Sequence, residues 1–259
     1  MQSKIIAALL MGAALTITSI SPAAAAKLDA YRAMMENRSC TVRYENITPS
    51  ERLHNRDKVT LSMWAKEDMA AAPEYVSRAY RGMLILGGAD KYEERSYGSY
   101  ARCFLIKDGK EYLFNREMNR DKRTYYGNYG KGKVRGEREK TEDVLIYGER
   151  FGEADVTRLL SILLPAEKKP LGTPQFTAAG VGSLTDGMSY EDYRRQNTNE
   201  LEAVRFYFDG AKLTRIASVT YRTEGGKVHE HKCILRIDRF DAAPDAAYLS
   251  LPKGLKEVK

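Results

Sequence analysis

Two histidines and a cysteine stand two apart in His229-Glu230-His231-Lys232-Cys233. On a β-strand that spacing sends both imidazoles and the thiol to one face. Imidazole and thiolate are good zinc ligands, so this pentapeptide is the first place to look for metal chemistry. A tetrahedral site needs a fourth ligand or a water; no other spacing in the chain supplies one, and His54 is the only other histidine. The simpler reading is a strand that starts exposed beside Gly225-Gly226 and becomes buried by Cys233, and no metal is expected. Nucleophilic hydrolysis would need a Gly-x-Ser-x-Gly elbow or a Cys/His signature, and neither occurs. The 35 carboxylates nominate no acid–base pair without a pocket to hold them. Neither an enzyme nor a cofactor is expected.

The elements that must carry these residues follow from hydrophobic periodicity. Leu28, Tyr31, Met34 and Met35 are spaced for one face of an opening helix. Cys40, Val42 and Tyr44 then alternate with Thr41, Arg43 and Glu45 as a strand, and Val59 to Met63 repeats the alternation before the lone Trp64, read as packing. Met69 to Tyr80 reads as a turn of helix ahead of an apolar strand from Met83 to Leu86. Asp108-Gly109 is a two-residue hairpin turn that pairs Lys107 with Lys110, Leu105 with Tyr112 and Cys103 with Phe114. The face carrying Cys103, Leu105, Tyr112 and Phe114 looks more like core than its opposite.

Four glycines from Gly127 to Gly136 read as a mobile loop, Val144 to Tyr147 as a strand, and Lys168 to Gly187 as a connection. The strongest helix is Glu153 to Leu164, with Val156, Leu159, Leu160 and Leu163 on one face and Pro165 and Pro170 ending it. Tyr190 to Arg195 reads as an exposed strand or turn edge. Leu201 to Phe208, Leu213 to Thr223 and Lys227 to Arg239 form a meander turning at Gly210-Ala211 and Gly225-Gly226. Two-residue loops there put Glu224 opposite Lys227 and Ile216 opposite Leu235, with Tyr207, Ile216, Cys233, Leu235 and Ile237 on one face. The other face takes Val204, Phe206, Phe208, Val219 and Tyr221, together with charged residues.

With 259 residues, 43% hydrophobic and 30% charged, the chain is neither a disordered tail nor a polytopic membrane protein. Lys4, the apolar run Ile5 to Ile20 and the small residues of Pro22 to Ala26 form an export signal expected to be cleaved before Lys27. The expected organisation is residues 1–26 as signal peptide and 27–259 as one domain, soluble in the periplasm or cell envelope. Cys40, Cys103 and Cys233 allow one intramolecular bond at most, or three buried small hydrophobes. Of the net positive charge left after cleavage, nearly all lies between Arg116 and Lys140, which holds nine basic and four acidic residues. Such a segment can meet an anionic surface or stay a solvated hairpin. Basic and aromatic residues interleave at Arg123-Thr124-Tyr125-Tyr126 and Tyr129, as they do in nucleic-acid binders, but export makes nucleic acid a poor partner.

Several phrases carry a family resemblance: the opening helix before a strand, Phe104-Leu-Ile-Lys-Asp-Gly-Lys-Glu-Tyr-Leu-Phe114, the leucine-rich helix at 153 to 164, Phe206-Tyr-Phe-Asp-Gly-Ala-Lys-Leu-Thr-Arg-Ile216 and Tyr248-Leu-Ser-Leu-Pro-Lys-Gly254. Over nearly the whole mature length the chain resembles the LolA/LolB-like periplasmic lipoprotein carriers and their RseB-like relatives. It departs from the best-known carriers in its basic, tyrosine-rich segment and its three cysteines. The resemblance implies a mainly β (α+β) fold, an incomplete and strongly curved antiparallel β-barrel of about eight to eleven strands closed by helices. It implies a monomeric binding protein for lipid, lipoprotein acyl chains or another hydrophobic ligand. On this reading Val42, Tyr44, Leu61, Met63, Leu105, Tyr112, Ile216, Leu235 and Ile237 line the cavity, and Leu159, Leu160 and Leu163 form the lid. Arg120, Lys122, Arg123, Lys131, Lys133 and Arg135 are expected to meet an anionic membrane surface. The alternative is an envelope-associated module that binds a protein partner or an anionic polymer.

Overall fold

The structure is a computed structural model and describes residues 22–49, 52–55, 76–98, 100–118, 123–132, 155–165, 175–196, 200–252 and 256–257. Helix α1 (Pro22–Glu36) leads into β1 (Ser39–Pro49) and β2 (Arg52–Asn55). A first meander follows: β3 (Val76–Gly87), β4 (Asp90–Ser96), β5 (Tyr100–Lys107), β6 (Lys110–Met118) and β7 (Arg123–Gly132). Helix α2 (Asp155–Leu160) runs into a 3-10 turn at Ser161–Leu163. The second meander is β8 (Thr177–Ser183), β9 (Ser189–Gln196), β10 (Glu200–Asp209), β11 (Lys212–Glu224) and β12 (Lys227–Asp241), and the two-residue β13 (Lys256–Glu257) closes the described chain.

These strands form one mainly antiparallel sheet in the order β13-β7-β6-β5-β4-β3-β1-β12-β11-β10-β9-β8, with β2 paired to β12 beside that path. The only parallel pairing among the described residues is β13 with β7. Strand β1 lies at the centre and joins the two meanders, pairing with β3 on one side and β12 on the other. The ends of the order, β13 and β8, are not paired with each other, so the sheet is open. The described residues form thirteen strands, more than the eight to eleven expected.

Local turn chemistry explains the hairpins. Asp108 and Gly109 have φ of 50° and 71°, and Gly225 and Gly226 have 56° and 76°, the left-handed pairs that match the twist of a two-residue hairpin. The registers Lys107↔Lys110, Leu105↔Tyr112, Glu224↔Lys227 and Ile216↔Leu235 are those read from the sequence.

Elsewhere the expectations need correction. Strand β3 begins at Val76, so the end of the segment read as a helical turn is strand. Arg123 to Gly132 is strand β7 although it overlaps the glycine run read as a loop, and Thr177 to Ser183 is strand β8 inside the expected connection. Both pair along their length with a neighbour, which satisfies the backbone whatever the side chains prefer. The helix expected over 153 to 164 is α-helical only from Asp155 to Leu160 and tightens to 3-10 before Pro165. The Val59–Met63 and Val144–Tyr147 segments lie outside the described residues.

A register shift between Tyr207 and Phe208 on the β10/β11 pair decides a larger correction. Phe208 faces Leu213 while Phe206 faces Ile216, so the side with Ile216, Cys233, Leu235 and Ile237 also carries Val204, Phe206 and Phe208. Tyr207 goes to the other side with Val219 and Tyr221. One extra residue in β11 reverses the parity that an unbulged hairpin would give.

Candidate functional site

The face of the sheet that meets both helices is the inner face. On it Val42, Tyr44, Ile216, Leu235 and Ile237 join Leu159, Leu160 and Leu163 in one buried cluster. Leu28, Tyr31 and Met35 of α1 pack in the same cluster, and the Tyr31 ring lies 4.9 Å from that of Phe240. The backbone N–H of Leu213 donates to the Tyr31 hydroxyl at 2.8 Å. Arg32 donates to the Tyr193 hydroxyl at 2.6 Å and Lys27 to the Ser189 hydroxyl at 2.7 Å, so α1 is fastened to β9 as well.

Helix α2 is tied in two directions. The hydroxyl of Thr157 donates to Glu93 Oε2 on β4 at 3.4 Å, and Arg158 pairs with Glu202 on β10. Both carboxylates are 1% exposed. Glu93 also receives Lys91 at 2.9 Å and Arg95 at 3.1 Å, while Glu202 receives Arg195 at 2.8 Å. Two consecutive residues of one short helix thus reach buried acids on opposite halves of the sheet. The side chains of Val156, Leu159, Leu160, Ile162 and Leu163 fill the space between.

Two of the expected cavity residues are elsewhere. Leu105 belongs to a second cluster with Met83, Ile85, Tyr92, Ala101, Cys103 and Phe114, and half-buried Tyr112 packs against it. The reason is parity: Val42 pairs with Leu84, which carries the inner face through Glu93, Phe104 and Leu113. Ile85, Tyr92, Leu105 and Tyr112 fall on the outer face, where Tyr248, Leu249 and Leu251 cover them. Leu61 and Met63 lie outside the described residues.

Beside Leu84 and Leu86, which join the apolar cluster, the inner face of the first meander carries charged residues. The row Tyr44, Gly82, Arg95, Arg102 runs across β1, β3, β4 and β5. Tyr44 lies over Gly82, and a Cβ there would overlap its ring. Its hydroxyl is thereby carried towards Arg95 and lies buried, with no hydrogen bond of good geometry among the described residues. Burial pushes that phenol well above its ordinary range, with Tyr80 and Glu93 adding to the effect, so the hydroxyl keeps its proton. Tyr80 lies 6.2 Å from Tyr44 and 5.6 Å from Tyr97, ring centre to ring centre, and the Arg102 guanidinium sits 6.0 Å from the Tyr97 ring. Sequence reasoning missed this end. Its one local signal is a glycine in a strand, the mark of a close approach, but naming Tyr44 as the visitor requires the β1/β3 register.

The expected anionic-surface residues Arg120, Lys122, Lys133 and Arg135 lie outside the described residues. Arg123 and Lys131 fall on β7, at register positions opposite Met118 and Tyr112. The first cation of that basic stretch is internal: Arg116 is 2% exposed and pairs with Glu94, whose Oε2 accepts from the Tyr92 hydroxyl at 2.6 Å.

All three cysteines are free and buried, Cys40 and Cys233 on the inner face and Cys103 on the outer. Burial pushes the thiols of Cys40 and Cys103 up to about 12, which keeps both protonated and poor nucleophiles. In the histidine pentapeptide Cys233 is buried and His231 exposed, while Glu230 faces the other side beside Lys232 at 3.3 Å. No group of three potential metal ligands converges among the described residues. Tyr190 to Arg195 is strand β9 with Glu191, Asp192 and Tyr193 buried, which corrects the exposed edge expected there. No protein-family model matches the chain, and no curated protein matches it.

Proposed function

We propose that the chain is an exported, non-catalytic binding protein for lipid, lipoprotein acyl chains or another hydrophobic ligand, acting as a carrier or sensor in the cell envelope. On this reading the open sheet is an incomplete, strongly curved barrel whose inner side is closed by α1 and α2. The observation that carries it is the cover itself: a six-residue helix and its 3-10 turn lay five apolar side chains on the inner face, held at either side by Thr157 and Arg158. Lifting that cover exposes five apolar residues at roughly 1.5–3 kcal/mol each, on the order of 10 kcal/mol in all. An acyl chain returns about 0.8 kcal/mol per methylene, so roughly a dozen carbons offset the cost. The exchange is balanced, as a reversible carrier requires.

Native mass spectrometry of the freshly purified full chain, extended to uptake of a fluorescent fatty acid, tests the reading. The expected result is a co-purifying lipid or saturable uptake that Leu160→Glu abolishes while Leu105→Ala does not. A folded wild-type protein that takes up no acyl probe and carries none sinks the proposal.

A further inference from the structure

Strand β9 sends Ser189, Glu191 and Tyr193 to the inner face, opposite Phe208, Phe206 and Val204 of β10. Helix α1 is fastened at both ends of this trio, Lys27 donating to Ser189 at 2.7 Å and Arg32 to the Tyr193 hydroxyl at 2.6 Å. Between the two anchors Glu191 is 6% exposed. Its Oε2 accepts from the Tyr193 hydroxyl at 3.4 Å, and its Oε1 is buried without a hydrogen-bond partner among the described residues. The charged groups that face it come from α1: Lys27, Arg32 and Asp29, the last held by Arg32 at 2.8 Å. Strand β10 presents apolar side chains to it, since Arg205 pairs with Asp192 on the outer face. Strand β8 puts Val181 opposite and has no titratable side chain from Thr177 to Ser183.

The geometry points to a proton-controlled latch: neutral Glu191 lets α1 lie on β9, and ionised Glu191 drives the helix off the sheet so that water reaches the carboxylate. A carboxylate shut in beside an apolar cluster loses its hydration, and one hydrogen bond of 3.4 Å does not replace it. Lys27 and Arg32 do not make up the loss, because each is already committed to a hydroxyl of β9. Burial accordingly pushes the carboxyl up to about 7, with Arg32, the Tyr193 hydrogen bond and Lys27 opposing it and Asp29 adding to it. That burial lasts only while α1 is down. With α1 lifted the carboxyl ionises near its ordinary 4.5, so lifting releases a proton between 4.5 and 7. The helix is held most firmly below 4.5, loosens as pH rises through this window and reaches a plateau above 7. Tyr31 of α1 lies 6.3 Å from Phe208, ring centre to ring centre, so lifting the helix uncovers the inner cluster on this side.

Hydrogen exchange of the full chain at about pH 5 and pH 8 tests the latch, read as protection factors so that intrinsic exchange rates cancel. Glu191→Gln and Glu191→Met are the variants, with thermal melting as a check on folding. In wild type the amides from Tyr31 to Glu36 should lose about tenfold or more of their protection between the two pH values. At pH 8 they should be less protected than those of β10 and insensitive to low urea, the mark of a local opening. Both variants should hold α1 equally well at either pH. Cleavage before Lys27 would add to this seam an α-amino group that titrates in the same range; it does so in wild type and variants alike, so their difference belongs to Glu191. Unchanged α1 protection in wild type, or the same loss in both variants, overturns the latch. So does α1 exchanging only together with β10, with the urea dependence of global unfolding. An uncharged ester, methyl dodecanoate, separates the latch from the proposed ligand: uptake should be faster at pH 8 than at pH 5 in wild type alone, whereas a released α1 with no uptake leaves the latch standing and overturns acyl-chain binding.

Discussion

The two meanders fill the two sides of one sheet differently. In the second, the inner face is apolar from Val204 and Phe206 through Ile216 to Leu235 and Ile237, and the two-bond ion pair of Arg205 with Asp192 lies on the other face. There the Arg205 guanidinium stacks 3.7 Å from the centre of the Tyr190 ring. In the first meander the inner face carries Lys91, Glu93, Arg95 and Arg102, while the close-packed apolar set of Met83, Ile85, Leu105 and Phe114 is turned outwards under Tyr248. Alternation alone cannot show this reversal. Each strand reads as apolar on every second residue, and only the chain of registers through β1 decides which parity meets the helices.

The contrast breaks most visibly at the buried ion pairs. Glu94→Leu leaves Arg116 charged and unpaired beneath Tyr248, where the guanidinium carbon lies 5.9 Å from the ring centre, and should cost about 3–5 kcal/mol. Adding Arg116→Met should recover most of the loss, because two apolar side chains need no partners. Urea denaturation of both singles and the double reads the cycle. A double mutant no more stable than Glu94→Leu would mean that this outer cluster is not held as two independent apolar surfaces would be.

Truncating one leucine on each face sharpens the comparison. Leu160→Ala and Leu105→Ala both empty fully buried positions and should each cost about 2–5 kcal/mol. Only Leu160→Ala should also alter fluorescent fatty-acid uptake, since Leu105 faces away from the helices. Matching losses of uptake would erase the functional difference between the faces.

A pH titration reaches the second meander through Glu191. Burial pushes the Glu191 carboxyl up to about 7, with Arg32 pulling the other way. The folded chain therefore prefers the protonated acid, whereas the unfolded chain ionises it near its ordinary 4.5. Stability from this group is complete below 4.5 and is lost as pH rises through 7, a decline on the order of 2 kcal/mol. Melting temperature measured from pH 4.5 to 8 should fall in wild type and fall less in Glu191→Gln.

Much of the fold was legible where the determinant is local. Asp108-Gly109 and Gly225-Gly226 set their registers because two residues with positive φ admit one hairpin geometry. The apolar face of α2 was legible from its spacing, and so was its meeting with Val42, Tyr44 and Leu235. The shift at Tyr207/Phe208 was not, since a bulge adds a residue without a composition signal, and it carried Phe206 and Phe208 to the face opposite the one expected. Leu105 was misplaced for a longer-range reason: its parity depends on the pairing of Val42 with Leu84, far apart in sequence, which turn chemistry does not reach. The same dependence hid the row in which Tyr44, Gly82, Arg95 and Arg102 lie side by side across four strands.

The smallest effect is expected at Tyr44 and runs against the usual sign. Most buried tyrosines lose stability when the hydroxyl is removed, because a hydrogen bond goes with it. Here Tyr44 is 1% exposed and its hydroxyl makes no hydrogen bond of good geometry among the described residues, so Tyr44→Phe removes an unsatisfied polar atom and keeps the ring over Gly82. The variant should be more stable by about 1 kcal/mol, read as a higher urea midpoint with an unchanged slope. Gain of stability at the cost of fatty-acid uptake would mark the position as one kept for binding, since stabilising changes at a functional site commonly cost function. In the second meander Tyr207 supplies the control, because its ring stacks 4.9 Å from the Arg215 guanidinium and 5.8 Å from that of Arg205 on the outer face. Tyr207→Phe should leave fatty-acid uptake where it was, and a loss there equal to that of Tyr44→Phe would detach uptake from the inner face.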